Sequence, residues 1–142
     1  LGIEPMQFFD LIRKEDRWQA NRNGHVCFQI SDQLQLPHDA QHLTLGIRPE
    51  HIRMQLAEPF KSAAAIYFPA TVTKSSFCGA FWLYRVTPKC CESDLSCIDF
   101  HTWDVHENGT SVFCVADFAD MHLFDKESGQ RVRHQSRLSS DA

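Results

Sequence analysis

The chain has 142 residues, 43% of them apolar, and a formal net charge of −4 with acidic and basic residues interspersed. That length suffices for one globular domain burying about two-thirds of the surface its unfolded chain exposes, with no disulfide or metal staple required. No basic stripe is present to neutralise nucleic-acid phosphates. The longest strongly apolar runs, Ala63 to Ala70 and Phe77 to Val86, fall far short of the roughly 20 residues that span a bilayer, and no signal peptide is visible. Neither nucleic-acid binding nor membrane insertion is therefore expected.

In chain order, Pro5 to Lys14 places Met6, Phe9 and Ile12 at helical spacing and predicts a short N-terminal helix or turn. Strands dominate after it. Asp16 to Ala20 and His25 to Ile30 flank Asn21-Arg22-Asn23-Gly24, which reads as a hairpin built on Asn-Gly. Leu34-Gln35-Leu36 alternates and ends at Pro37. His42 to Ile47 is a strand stopped at Pro49, since proline supplies no ladder donor and disfavours helix at Arg48; Met54-Gln55-Leu56 is a further short strand.

Ala64 to Ser75 pairs with Ala80 to Thr87 through Ser76-Phe77-Cys78-Gly79, with Gly79 expected at a bend hostile to a β-carbon. Leu95 to Trp103 and Ser111 to Ala116 lie around the Glu107-Asn108-Gly109 turn. Asn108-Gly109-Thr110 also fits a glycosylation sequon, but Asn-Gly is a strong hairpin signal and the turn reading is preferred. Met121 to Phe124 and Arg131-Val132 are joined by the turn from Asp125 to Gly129, and the polar tail from His134 frays. About nine short strands with turn chemistry between them indicate an all-β barrel or sandwich.

Three groups of side chains invite a chemical reading. Glu50 beside His51 is raw material for acid–base chemistry, yet adjacent residues of an extended segment point to opposite faces. Arg48 and Glu50, two apart, are expected on one face, fixing a strand end by hydrogen bonds or an ion pair. Cys90, Cys91, Cys97, His101 and His106 form the best metal constellation, but an adjacent pair cannot make the Cys-x2–4-Cys knuckle zinc favours, so no metal site is assigned. The remaining cysteines, Cys27, Cys78 and Cys114, sit in strand-like apolar runs and read as small buried hydrophobes. Phe77, Phe81, Trp82 and Tyr84 suit core packing or a subunit contact better than base stacking, because no basic groove accompanies them. No catalytic residue and no cofactor-binding residue is assigned.

The string Gly46-Ile47-Arg48-Pro49-Glu50-His51 resembles the signature of the transport-associated OB domain at the C-terminus of ATP-binding subunits of bacterial ABC importers, the maltose-transporter ATPase type. Two further stretches agree. Pro5-Met6-Gln7-Phe8 resembles the junction at which the ATPase domain of that family hands over to its C-terminal domain. Met121-His122-Leu123-Phe124-Asp125, with Gly129 and Arg131, resembles the closing motif. The resemblance implies an OB-like barrel over residues 16–133, preceded by a junction at 1–15 and followed by a disordered tail at 134–142. Its motifs are fold signatures and not an active site.

The implied function is regulation and dimerisation of the ATP-binding subunit. Its partners would be a second copy and, through the ATPase domain, the permease subunits. Its place would be cytoplasmic, peripheral at the inner face of the plasma membrane. ATP and magnesium would belong to an ATPase domain outside this chain: none of the six glycines precedes Lys-Ser or Lys-Thr, so no P-loop exists and no ATPase activity is expected here. Two cues to the transported solute conflict. Phe77-Cys78-Gly79-Ala80 resembles the polyamine, iron or phosphonate members, and His122-Leu123-Phe124-Asp125 with Gly129 and Arg131 the sugar and glycerol-phosphate members. The alternative function is an OB-type small-anion-binding module, of the kind that takes molybdate or sulfate; a β-barrel enzyme using His51 or the Cys/His cluster has the least support.

Overall fold

The computed structural model describes residues 4–15, 17–30, 42–62, 64–89, 93–101 and 105–132. Eleven strands are described: β1 (Gln7–Lys14), β2 (Arg17–Arg22), β3 (His25–Ile30), β4 (His42–Ile47), β5 (Arg53–Gln55), β6 (Ala65–Phe77), β7 (Trp82–Pro88), β8 (Leu95–Asp99), β9 (Ser111–Asp117), β10 (His122–Asp125) and β11 (Arg131–Val132). Single 3-10 turns occupy Pro49–His51 and Phe118–Asp120. The strands form two antiparallel sheets, ordered β11-β10-β4-β1-β2-β3 and β5-β9-β6-β7-β8. The edge strands β5 and β8 of the second sheet approach each other, so this sheet curls into an OB-like barrel.

Most expected strands form where alternation and turn residues place them. The hairpin at Asn23-Gly24 joins β2 to β3, and both residues take positive φ, as a primed two-residue turn requires. The expected N-terminal helix or turn is corrected, because residues 7–14 form a central strand between β2 and β4. Gln7, Phe9 and Leu11 point inward while Phe8, Asp10 and Ile12 face out, a period of two. Phe9 and Ile12, which with Met6 gave the helical spacing, lie on opposite faces of the strand, one buried and one exposed. Asn108-Gly109 does turn, since Thr110 N–H bonds Glu107 O at 3.1 Å, but β8 and β9 do not pair across it. The turn docks instead on β6, where Gly109 N–H donates to Val72 O at 2.7 Å and Val72 N–H to Thr110 O at 2.9 Å. Leu34-Gln35-Leu36 and the tail from His134 lie outside the described residues.

The core lies between the sheets. Phe9 packs edge-on against Phe28 at 5.2 Å, and Phe28 stacks on Phe68 at 5.2 Å and 11°, so an aromatic column runs from β1 through β3 to β6 of the second sheet. Leu43, Leu45, Ile47, Val72, Tyr84, Val86, Leu95, Phe118 and Leu123 are buried around it. At the far end of the β6–β7 hairpin, Cys78 N–H bonds Phe81 O at 2.9 Å and Gly79 has φ of +88°, with open space where a β-carbon would project. Any penalty for a side chain there comes from the backbone alone. Gly79→Val is expected to lower stability by about 1–3 kcal/mol, with Gly79→Asn less affected because asparagine tolerates the left-handed region. Urea midpoints of the two variants check this; equal, unshifted midpoints would contradict it.

Candidate functional site

The signature residues converge on closing the fold. Gly46 pairs with Phe8 of β1 and His122 of β10, and a β-carbon on it would meet the Met6 sulfur and Phe8. Ile47 and Leu123 enter the core. Asp125 organises the final turn: its carboxylate accepts from Ser128 Oγ at 2.8 Å, its carbonyl accepts from Gly129 N–H at 2.7 Å, and Gly129 takes φ of +72°. Arg131 Nη2 then lies 2.7 Å from His122 Nδ1 across β10 and β11, and Phe124 meets Phe8 edge-on at 6.1 Å.

Arg48 and Glu50 do not make the expected ion pair. Residues 49–51 form a 3-10 turn, with His51 N–H bonding Arg48 O at 2.9 Å, so the two-residue rule of an extended strand does not apply. Among the described residues, no ion pair joins Arg48 to Glu50. Pro49 is buried, and Glu50 Oε1 and His51 Nδ1 are buried without a hydrogen-bond partner.

The Cys/His set is dispersed. Cys97 is buried against Cys114; His101 is exposed, its N–H on Asp99; His106 N–H donates to the Tyr84 phenol at 3.1 Å. Cys90 and Cys91 lie outside the described residues, among which no group of three metal-type ligands gathers. Cys78 is exposed, which corrects its expected burial: it belongs to the hairpin tip and not to a strand. The hydrogen bond with Cys114, and then burial, push the Cys97 thiol well above its usual range. Burial likewise raises the Tyr84 phenol.

A polar cleft of about 480 Å³ opens where the two sheets meet. Its anchor is Gln7, whose Nε2 donates to Ser96 O at 2.9 Å while its Oε1 accepts Ser96 N–H at 2.6 Å. One side-chain amide thereby satisfies the outer edge of β8. Arg85 adds Nη1 to Ser96 Oγ at 3.1 Å and approaches Glu4 at 3.7 Å. From the first sheet come Asn21 and Arg22, redirected by a bulge between Ala20 and Asn21. The Arg22 guanidinium lies 5.8 Å from the Phe9 ring centroid. Asn23 Nδ2 bonds Ser93 Oγ at 2.6 Å, and Thr87 Oγ1 donates to Asp94 at 2.6 Å, fixing the rim. The sequence shows Asn21 to Gly24 only as a turn; the bulge and the partnership across 89 residues that build the cleft leave no local signal.

Comparison with known proteins bears on the fold. The TOBE domain family matches residues 45–124, more than half of the chain. Among solved structures the chain is similar to the cytoplasmic molybdate-binding protein ModG in a form with molybdate bound, with a TM-score of 0.59 and 9% identity over 87% of this chain and 98% of that one. At that identity the likeness concerns the fold alone. No curated protein matches the chain in sequence.

Three outcomes are expected. Gln7→Leu strands a buried N–H and a buried C=O of Ser96 and should cost about 2–4 kcal/mol. Gln7→Glu should be destabilised at neutral pH, where its second oxygen faces the Ser96 carbonyl, and should recover as the pH falls and the acid can donate. Urea titrations at pH 7 and 4 check both, and a neutral effect of either variant at pH 7 would contradict the clamp. Thiol labelling mapped by mass spectrometry should modify Cys78 quickly, and Cys27, Cys97 and Cys114 only on unfolding.

Proposed function

The chain belongs to the TOBE domain family, and from that premise we propose that it is the regulatory and association module of the ATP-binding subunit of a bacterial ABC importer. Gly46, Ile47, Leu123, Asp125 and Gly129 serve the packing of β4 against β10 or the final turn, which suits a module that positions other domains. ATP and magnesium would be held by a separate ATPase domain, since this chain has no phosphate-cradling loop. That domain would carry the contacts with the permease subunits at the inner face of the membrane.

The observation that carries this reading is the apolar surface around the β6–β7 tip. Phe77 is 54% exposed and packs on Trp82 at 5.1 Å; Phe100 is 57% exposed and packs on Phe81 at 5.9 Å. Exposed aromatic rings such as Phe77 and Phe100 are surface that association can cover. A second copy of the chain is its proposed occupant, in a two-fold contact that the paired ATPase domains would reinforce. Sedimentation velocity over a concentration series should show weak dimerisation, with a dissociation constant on the order of micromolar, and Phe77→Ser should weaken it about tenfold or more. A strict monomer up to about millimolar concentration, or nucleotide turnover by this chain, would overturn the proposal.

A second reading, a small-anion-binding module, draws on the fold shared with molybdate-bound ModG. Calorimetric titration with molybdate and with sulfate separates it from the first: saturable heat together with a monomer supports the second reading alone.

A further inference from the structure

The chain contains two Asn-Gly pairs, Asn23-Gly24 and Asn108-Gly109. Such pairs carry a latent reaction. The glycine amide nitrogen, having given its proton to solvent base, attacks the asparagine Cγ; the Cγ–Nδ2 bond breaks, and ammonia leaves with a proton taken from water. Water then opens the cyclic imide at either carbonyl, giving aspartate where the new bond to Cγ breaks and isoaspartate where the backbone C–N bond breaks. The net change is water taken up and ammonia released, with no oxidation or reduction. Glycine favours ring closure because it has no side chain to obstruct it and the least restricted backbone.

Exposure does not separate the two pairs. All four residues are exposed, and both glycines have positive φ, +81° and +90°, with nothing within 4 Å of the place a β-carbon would take. Hydrogen bonding of the attacking nitrogen does separate them. Gly109 N–H donates to Val72 O at 2.7 Å, Val72 N–H donates to Thr110 O at 2.9 Å, and Thr110 N–H closes on Glu107 O at 3.1 Å. Attack from Gly109 has to break the first of these bonds and turn a segment that the other two hold. Asn23-Gly24, in contrast, is the whole loop between β2 and β3, whose ladder ends on the pair Arg22 and His25. Among the described residues, no hydrogen-bond acceptor meets Gly24 N–H. The restraint on Asn23 is its side chain, whose Nδ2 donates to Ser93 Oγ at 2.6 Å. That bond is exposed, so water competes for both partners and it opens more readily than the clamp on β6.

We propose that Asn23 is a modification site, at which the folded chain converts to aspartate and isoaspartate while the contact with β6 protects Asn108. The consequence falls on the rim of the cleft, which Asn23 lines. Either product replaces the donor amide by a carboxylate, so the bond to Ser93 is kept only if the hydroxyl turns to donate. Aspartate before glycine suits a primed turn, and the hairpin survives it. Isoaspartate lengthens the backbone by a methylene inside a two-residue loop and strains the register of β2 against β3.

The test is incubation of the full chain, folded and in denaturing urea, in warm, mildly alkaline buffer, with mass spectrometry of the peptides that hold each asparagine. Aspartate and isoaspartate peptides have equal mass, and the Asn23→Asp variant supplies the chromatographic standard that tells them apart. In the folded chain Asn23 should convert at least about threefold faster than Asn108, and in urea the two rates should converge, because the hydrogen bonds that separate them are lost. The proposal is overturned if the folded-state ratio is smaller, if Asn23 converts only in urea, or if the difference persists in urea, which would place its cause in the neighbouring residues. Both rates are read on the unaltered chain, so no variant has to fold for the comparison to count. Sedimentation and anion titration are separate readouts, and failure here leaves the association and anion readings untouched.

Discussion

The pairing of β10 with β4 is the constraint from which the rest of the molecule follows. His122 to Asp125 align on Gly46 to Leu43, so a strand from late in the chain closes the sheet that the N-terminal strands began. The family match runs from Leu45 to Phe124, and these ends lie on the two strands that meet. The residues between them form the curled second sheet, which must leave β4 and return beside it. Antiparallel pairing across so long a separation carries a large loop-closure cost, and packing must offset it. The burial of Leu45 and Leu123, directly opposite one another, supplies part of that packing. Fixed spacing of Gly46, His122, Asp125 and Gly129 is thus a requirement of geometry before it is a requirement of any function.

A second constraint concerns the edge of β8. Strand edges leave N–H and C=O groups unpaired, and a buried edge must find partners. Ser96 is buried, and instead of another strand the Gln7 amide supplies both complementary groups. This choice keeps β1 and β8 at side-chain distance and leaves room between the sheets on that side. The cleft is the consequence. Side-chain bonds tie its walls together, notably Asn23 to Ser93 and Arg85 to Ser96.

The sequence disclosed those parts of the fold whose signal is local. Pro49 stopped β4, Asn23-Gly24 turned β2 into β3, and Gly79 bent the long hairpin, each by a backbone preference confined to one or two residues. It misled at residues 7–14, where Phe8 and Ile12 stand on the outer face and spoil the alternation that Gln7, Phe9 and Leu11 keep. It misled again at Arg48 and Glu50, because a single 3-10 turn rotates the side chains that an extended segment would align. The exposed aromatics of the hairpin tip were half legible: the aromatics were evident, but which of them stay outside depends on the register of β7 with β8. The cleft was not legible at all, since Gln7 and Ser96 meet only after both sheets have formed.

The same geometry explains why the two cues to a transported solute disagree. Phe77 to Ala80 form the tip of the β6–β7 hairpin, where the constraint is a tight turn and an exposed aromatic surface. His122 to Asp125, Gly129 and Arg131 form the closing strands and their turn, where the constraint is packing against β4 and a left-handed glycine. Neither segment lines the cleft, whose walls come from residues 4–8, 10, 21–23, 85, 94 and 96. Resemblance at the tip therefore tracks the hairpin turn and its exposed aromatics, and resemblance at the closure tracks how β10 packs on β4. A chain can match one group of relatives in the first respect and another in the second without contradiction. Most of the cleft lining lies before Leu45, outside the segment by which the family is recognised.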